Sequence, residues 1–184
     1  AKDRLQSRAA GSKGIGAADP IIHHADVRRM LMTQKAIVEA SRAFAVYTGL
    51  QLDIAKGATG SDAERAEKIV ALLTPVTKAF LTDKAFEMCV IGQQVYGGHG
   101  YIREWGMEQL VRDARITQIY EGANGIQAMD LLGRKVLIQS KGKAVLDFTA
   151  KIATFARDNL KDKTLRGFAW NLSKLAAQWN YLTM

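Results

Sequence analysis

The residues best suited to acid–base chemistry are one carboxylate and its two neighbours, Tyr120-Glu121-Gly122. They interrupt two stretches of helical pattern, and a carboxylate in such a break can project into a cleft instead of into bulk water. Because desolvation makes a carboxylate a stronger base, Glu121 is a candidate general base. The alternative is an ordinary exposed acid in a loop, and the residues taken alone favour that alternative.

A glycine-rich run forms the second candidate. Gly97-Gly98-His99-Gly100 follows Gln94 at the end of a helical stretch. Backbone that lacks side chains can approach a phosphate or a ribose closely, so the run could hold part of a nucleotide. The other interpretation, which the residues alone favour, is a helix C-cap followed by a turn. The glycines of residues 11–16 lack the spacing of a phosphate-binding loop and predict a flexible loop.

Metal and thiol chemistry are not indicated. His23 and His24 are adjacent, so on a helix they point about 100° apart. His99 stands alone, and we predict no metal site. Cys89 lies on an apolar helical stretch, where we expect a buried, unreactive thiol. Because it is the only cysteine, no disulfide can form within the chain.

The composition is that of a globular protein. A chain of 184 residues with 48% hydrophobic and 24% charged residues predicts one domain, or one with a small appendage. Lys and Arg outnumber the acids by 26 to 18, but they are scattered, so we do not predict nucleic acid as a partner, and peripheral membrane contact has no support. No signal peptide or membrane span is indicated. Both ends interrupt periodic segments, and we therefore expect a fragment of a longer protein.

Apolar residues recur at the 3.6-residue helical spacing along most of the chain. We expect residues 1–8 to end a helix and residues 9–22 to form a loop. The predicted helices cover residues 25–56, 61–96, 107–117 and 126–138, with two more in the C-terminal part. The second is expected to start at a Ser61–Glu64 capping box and to kink or restart at Pro75. With no alternation of period two, the predicted fold class is all-α, an up-down four-helix bundle with additional C-terminal helices.

The last helix carries an apolar stripe, formed by Phe168, Leu172, Leu175, Trp179 and Leu182. This stripe could cover the bundle, pair with another chain or touch a membrane. Packing on the bundle is the commoner outcome for such a stripe.

Three elements in combination resemble one known family. They are Gln-Val-Tyr-Gly-Gly-His-Gly-Tyr at 94–101, Arg-Asp-Ala-Arg-Ile at 112–116 and Gln-Ile-Tyr-Glu-Gly at 118–122. Together, and at this spacing, they resemble the C-terminal helical domain of the acyl-CoA dehydrogenase family. The opening Asp3-Arg4-Leu5-Gln6 is similar to the end of the preceding helix of the family. The resemblance covers residues 1–138, and residues 139–184 are similar, more weakly, to the start of the C-terminal extension of long-chain-type members.

The resemblance implies the last of three domains, preceded in the family by a helical domain and a β-domain. Members of the family bind FAD and oxidise acyl-CoA to trans-2-enoyl-CoA. The implied partners are therefore an acyl-CoA substrate, an electron-transfer flavoprotein as acceptor, and identical subunits in a homodimer or homotetramer. The implied location is the bacterial cytoplasm, or the mitochondrial matrix in a eukaryote. We expect the fragment alone to hold FAD poorly and to be inactive.

The resemblance also implies roles on the substrate side. Glu121 would remove the α-proton of the thioester, and its backbone N–H would polarise the carbonyl. Tyr120 and Gly122 would flank the thioester. Arg112 and Asp113 are expected to form a structural ion pair.

On the cofactor side, the resemblance implies two groups of contacts. Arg4, and less surely Gln6, would contact the diphosphate or adenosine side of FAD, where the guanidinium fork suits two phosphate oxygens. Gln94, Gly97 and Gly98 would contact an FAD that is bound mainly by a neighbouring subunit.

Two departures from the family pattern affect these expectations. Ala123 stands where many members have a threonine that meets the flavin, so that hydroxyl contact is absent. The loop at residues 9–20 differs from the short turn that contacts the adenine side in smaller members. The alternatives are an acyl-CoA oxidase relative, reoxidised by oxygen, and a non-catalytic helical interaction module.

Overall fold

The computed structural model describes residues 1–183, and within that range it contains helices but no strand. This confirms the all-α fold class. The α-helices are α1 Ala25–Gly57, α2 Ser61–Tyr96, α3 Gly98–Tyr101, α4 Met107–Thr117, α5 Asn124–Met129, α6 Lys143–Asn159 and α7 Arg166–Thr183. Short 3-10 turns cover Ile21–His23 and Arg103–Trp105, and α5 continues as a π-helix over Asp130–Gln139.

The described residues divide into two compact units. The first unit comprises residues 1–46 and 79–123, and the second comprises residues 47–78 and those from 124 onward. Both α1 and α2 therefore contribute one part to each unit.

Hydrogen bonds inside each unit show that α1 and α2 are antiparallel neighbours. In the first unit, Gln34 Nε2 donates to the Met88 carbonyl oxygen at 2.9 Å. In the second unit, the hydroxyl oxygens of Thr48 and Thr77 lie 3.4 Å apart. Gly60, with a φ of +66°, makes the tight turn between the two helices.

An apolar core lies in the second unit. Leu72 from α2, Val136 from the π-helix and Val145 from α6 are each at most 1% exposed and pack together. The rings of Phe148 and Trp179 meet edge to face with centroids 5.8 Å apart, which joins α6 to α7. The second unit thus contains residues on both sides of position 138, where we predicted the family domain to end and the extension to begin.

Two features predicted for α2, a restart at Pro75 and a capping box at its start, are not formed. The helix runs through Pro75 without a restart, and Pro75 is itself fully buried. Tertiary packing therefore tolerates the loss of one backbone donor. At the start of the helix, the Glu64 N–H donates to the Gly60 carbonyl oxygen at 3.2 Å instead of to the Ser61 hydroxyl, so the capping box does not form.

Helix α7 buries only part of the face that its large residues mark, since Leu172 and Trp179 are half-buried. Its buried residues are Ala169 and Ala176, whereas Phe168, Leu175 and Leu182 of the predicted stripe are exposed. Small side chains let α7 approach α6 closely, and Trp179 of the stripe packs against the core, while Phe168, Leu175 and Leu182 remain on the open side.

Residues 1–8 are not the end of a helix, so that prediction is wrong. They form an extended segment in which Leu5 makes an isolated antiparallel bridge to Pro20. The Ile21 N–H donates to the Arg4 carbonyl oxygen at 2.8 Å. All eight side chains are exposed. A polar segment with no apolar stripe gains little burial as a helix, and cross-pairing satisfies its backbone groups instead.

Candidate functional site

The extended segment presents Arg4 and Gln6 on the same side, because residues two apart share a face of an extended chain. The backbone of Gln6 is fixed at both of its polar groups. Its N–H donates to the Asp19 carbonyl oxygen at 3.0 Å. Its own carbonyl oxygen accepts a hydrogen bond from His24 Nε2 at 2.7 Å, so that ring nitrogen carries the hydrogen.

The loop after this segment, which we predicted to be flexible, folds around a buried carboxylate. Asp19 Oδ2 accepts the Ala9 N–H at 2.9 Å, and Asp19 Oδ1 accepts from Arg8 Nη1 at 2.8 Å. Arg8 also donates through Nη2 to the Gly16 carbonyl oxygen. The Ala9 N–H, with smaller help from Ser12 and Arg8, holds the pKa of Asp19 below its ordinary value despite burial.

The glycine run forms the turn after α2. The Gly97 N–H donates to the Gln94 carbonyl oxygen at 3.0 Å, and Gly97 has a φ of +62°. A Cβ on Gly100 would lie 2.3 Å from the Gln93 carbonyl oxygen, so packing requires that glycine. A Cβ on Gly97 or Gly98 would meet nothing within 4 Å. The turn is therefore a helix end, and it also leaves open space beside bare backbone.

One cleft of about 1320 Å³ in the first unit brings these elements together. All five residues that we predicted on the cofactor side line it, namely Arg4, Gln6, Gln94, Gly97 and Gly98. They come from two segments more than eighty residues apart in sequence. The cleft thus combines a guanidinium and two amides, which are donors suited to phosphate and ribose oxygens, with open space beside the backbone of Gly97 and Gly98.

Further residues, to which sequence reasoning gave no individual role, line the cleft. Arg8, His24, His99 and Trp105 also line the cleft. The His99 and Trp105 rings meet edge to face with centroids 4.9 Å apart. The sequence offers only a weak signal for this pair, since a histidine in a glycine run and a tryptophan six residues later have no periodic relation.

The predicted substrate-side residues lie apart from the cleft lining. Tyr120, Glu121 and Gly122 form the bend between α4 and α5, where Glu121 and Gly122 have φ values of +52° and +88°. A left-handed conformation is uncommon for a residue with a side chain. Both Tyr120 and Glu121 are exposed in this chain. The described residues therefore do not supply the dry environment that a strong carboxylate base needs.

Two predictions about single side chains need correction. Asp113 Oδ1 accepts from Gln109 Nε2 at 2.7 Å and forms no ion pair with Arg112. Cys89 is only partly buried, not fully, and desolvation raises the pKa of its thiol.

Neither a metal cluster nor a membrane-crossing helix is present in the part of the chain that the structure describes. Among residues 1–183, His, Cys, Asp and Glu side chains do not gather in groups that could hold a metal ion. The helices in the same range are not long and apolar enough to cross a membrane.

Comparison with known families identifies the class of protein to which this all-α chain with a glycine-lined polar cleft belongs. A family model described as the acyl-CoA dehydrogenase C-terminal domain matches residues 3–137. The chain therefore belongs to the acyl-CoA dehydrogenase family.

Named relatives agree with this assignment. The chain is 44% identical over 153 residues to 3-methylmercaptopropionyl-CoA dehydrogenase of Ruegeria pomeroyi, a match covering 83% of this chain and 26% of the relative. It is 35% identical over 177 residues to butyryl-CoA dehydrogenase of Syntrophomonas wolfei, covering 96% of this chain and 29% of the relative. The chain thus spans about a quarter of the length of these relatives.

A solved structure described as Bd2924 in its apo form shares the fold. The TM-score is 0.64 over 92% of this chain and 34% of that chain, at 18% sequence identity. At this identity the likeness concerns the fold alone.

Proposed function

We propose that this chain is the C-terminal part of an FAD-dependent acyl-CoA dehydrogenase that oxidises acyl-CoA to trans-2-enoyl-CoA. The observation that carries the proposal is the cleft, because it gathers Arg4, Gln6, Gln94, Gly97 and Gly98 from two distant segments. Membership of the acyl-CoA dehydrogenase family supports the same function. We propose residues 1–138 as the family domain and residues 139–184 as the start of an extension.

The residues of the cleft fit the polar end of FAD. Arg4 offers a forked donor to a diphosphate, and Gln94 can both donate to and accept from a ribose. The open space at Gly97 and Gly98 lets an oxygen reach the backbone. The flavin ring supplies, when bound, the acceptor for the hydride lost from the β-carbon of the substrate.

Glu121 is the base in this proposal. Its carboxylate takes the α-proton, and its backbone N–H donates to the thioester carbonyl oxygen, where negative charge develops. The left-handed φ of Glu121 supports this role, because residues with side chains held in that region cluster at functional sites. The acyl chain and the preceding domains would cover Glu121 and exclude water from it.

The separation of the two groups of residues supports a shared cofactor arrangement. Tyr120, Glu121 and Gly122 do not line the cleft that holds Arg4 and Gln94. We propose that the cleft receives the adenosine side of an FAD bound mainly by a neighbouring subunit, so that a homodimer or homotetramer completes each site. An electron-transfer flavoprotein is the proposed acceptor.

The test uses the full-length protein with its flavin, without oxygen, and follows the loss of visible flavin absorbance after adding acyl-CoAs of several lengths. Glu121→Gln should slow bleaching by about 10²–10⁴-fold, the usual contribution of a general base, with flavin content unchanged. The matched control is Glu39→Gln, which alters an exposed acid on α1.

Three other results would contradict a part of the proposed function. Equal bleaching in the wild type and Glu121→Gln would remove Glu121 as the base. No bleaching with any thioester would overturn the dehydrogenase reading and favour an interaction module. Bleaching followed by rapid peroxide formation on admitting oxygen would identify an oxidase instead.

A further inference from the structure

The segment that carries Arg4 and Gln6 has little hydrophobic anchorage. Every side chain of residues 1–8 is exposed, and the first buried residue along the chain is Ala9, at 3% exposure. Such a segment keeps a fixed conformation only if polar bonds hold it, because ordering each residue costs backbone entropy.

Asp19 supplies four of these bonds from a single position, beside those that the Arg4 and Gln6 carbonyl oxygens accept from Ile21 and His24. Besides its carboxylate bonds to Ala9 and Arg8, its backbone N–H donates to the Ser7 carbonyl oxygen at 2.8 Å. Its backbone carbonyl oxygen accepts the Gln6 N–H at 3.0 Å. The backbone and the side chain of this one residue, only 5% exposed, are thus bonded to four consecutive residues, 6–9.

We propose that Asp19 is a positioning residue for the cofactor: it clamps the extended segment so that Arg4 and Gln6 face the cleft before the ligand arrives. The inference rests on the proposed function, which assigns Arg4 and Gln6 to the polar end of FAD. Asp19 does not line the cleft. It therefore acts through the segment and not by direct contact.

Removing the Asp19 carboxylate should loosen the extended segment and weaken cofactor binding. Without it, the buried Ala9 N–H has no acceptor and Arg8 loses its ion-pair partner. The backbone bonds from residue 19 to Gln6 and Ser7 then lose the anchor at Arg8 and Ala9, so residues 4–8 sample several conformations in the free protein. Binding must order them again, and that cost appears as weaker affinity. The helices, which Asp19 does not hold, should remain as they are.

The experiment measures the dissociation constant for FAD of the full-length apoprotein, and amide hydrogen exchange in the same samples. Asp19→Ala should raise the dissociation constant roughly tenfold. The Gln6, Asp19 and Ile21 amides should exchange faster, while amides of α2 do not change. Asp19→Asn keeps an oxygen that can accept the Ala9 N–H, so it should recover part of the affinity. The matched control, Asp53→Ala, alters an exposed aspartate of α1 and should change neither readout.

A double-mutant comparison separates positioning from general structural support. If Asp19 acts through the cofactor-facing side chains, Asp19→Ala should weaken FAD binding little further in an Arg4→Ala/Gln6→Ala background. Full additivity would overturn the proposal, and so would wild-type affinity in Asp19→Ala alone.

The same series distinguishes failure of this inference from failure of the proposed function. Weaker binding in Arg4→Ala with unchanged binding in Asp19→Ala would remove the clamp and leave the cofactor assignment standing. Unchanged binding in Arg4→Ala/Gln6→Ala would remove the cofactor assignment itself. If Asp19→Ala does not fold, Asp19→Asn carries the test, and unchanged affinity together with faster Gln6 exchange would overturn the clamp.

Discussion

The two units of the molecule bury different kinds of group. In the first unit the buried side chains are small, flexible or polar, and they include Ala9, Asp19, Met30, Met88 and Ala114. The second unit also buries alanines and Thr149, but among the described residues it alone buries branched aliphatic side chains, namely Ile69, Leu72, Leu73, Val136 and Val145, of which Leu72, Val136 and Val145 pack into one core. The residues with candidate chemistry all lie in the first unit.

This difference indicates how each unit is held together. Aliphatic burial stabilises the second unit without specifying any ligand. In the first unit, hydrogen bonds at Asp19 and glycine contacts at Gly100 fix the backbone around a polar cleft. Substitutions in the second unit should therefore change stability, whereas well-chosen substitutions in the first should change ligand binding.

The largest expected effect is on the core of the second unit. Leu72→Ala removes a side chain that is 1% exposed and leaves a cavity, so the free energy of unfolding should fall by about 2–5 kcal/mol. Urea unfolding of the full-length protein measures this. Leu137→Ala is the control, because that leucine is 59% exposed and should cost less than about 0.5 kcal/mol. Similar losses in both variants would show that Leu72 is not a core residue.

Alanine substitutions at two glycines of the first unit should have opposite effects, one lowering stability and the other lowering FAD affinity. Gly100→Ala places a methyl group 2.3 Å from the Gln93 carbonyl oxygen, and the resulting strain should cost about 1–3 kcal/mol of stability. Gly98→Ala meets nothing within 4 Å, so stability should hold while the methyl group occupies cleft space and weakens FAD binding. Urea unfolding and FAD titration of both variants give the comparison. Normal FAD affinity in Gly98→Ala would mean that the cofactor does not approach this backbone.

Much of the helical pattern could be predicted from the sequence. The bounds of α4 at Met107–Thr117 and the end of α1 at Gly57 agree with the prediction, because capping and glycine signals act locally. Pro75 misled the prediction, since the packing of α2 in the second unit outweighs the local cost of a missing donor. The π-helix after α5 has no local signal that sequence reasoning uses.

The candidate site could be predicted only through combined motifs. No single residue in the glycine run indicates a cofactor, yet Gln94, Gly97 and Gly98 do share one cleft with Arg4. The role of Asp19 could not be predicted, because its hydrogen-bond partners depend on the conformation of the loop and not on a fixed sequence spacing. The sequence left open what the apolar stripe of α7 contacts, since a stripe of large residues does not reveal that alanines form the close contact.

A smaller effect should appear in the acid stability of the first unit. The pKa of Asp19 is lower in the folded protein than in the unfolded chain, because the Ala9 N–H stabilises the charged form. The unfolded chain therefore binds the proton first as pH falls, and stability decreases with it. The contribution is complete at neutral pH and is lost below about pH 4, the ordinary range for aspartate.

The corresponding variant is Asp19→Asn, which lacks the titrating group. Its deficit in unfolding free energy relative to the wild type should be largest at neutral pH and should shrink as pH falls below about 4. Urea unfolding at a series of pH values measures the difference. Asp53→Asn should show no such trend. A deficit in Asp19→Asn that is constant with pH would mean that its charge is not what stabilises the loop.

The smallest effect is expected where a polar contact in the first unit is exposed. Lys35 Nζ and Glu39 Oε1 lie 2.9 Å apart on α1, with side chains 76% and 65% exposed. Glu39 raises the pKa of Lys35, but water screens a pair this open and both long side chains lose freedom in forming it. Lys35→Ala should therefore leave both the unfolding midpoint and the FAD affinity within experimental error. A loss comparable to that of Asp19→Asn would mean that polar bonds stabilise the first unit wherever they occur, and that the burial of Asp19 is not what distinguishes it.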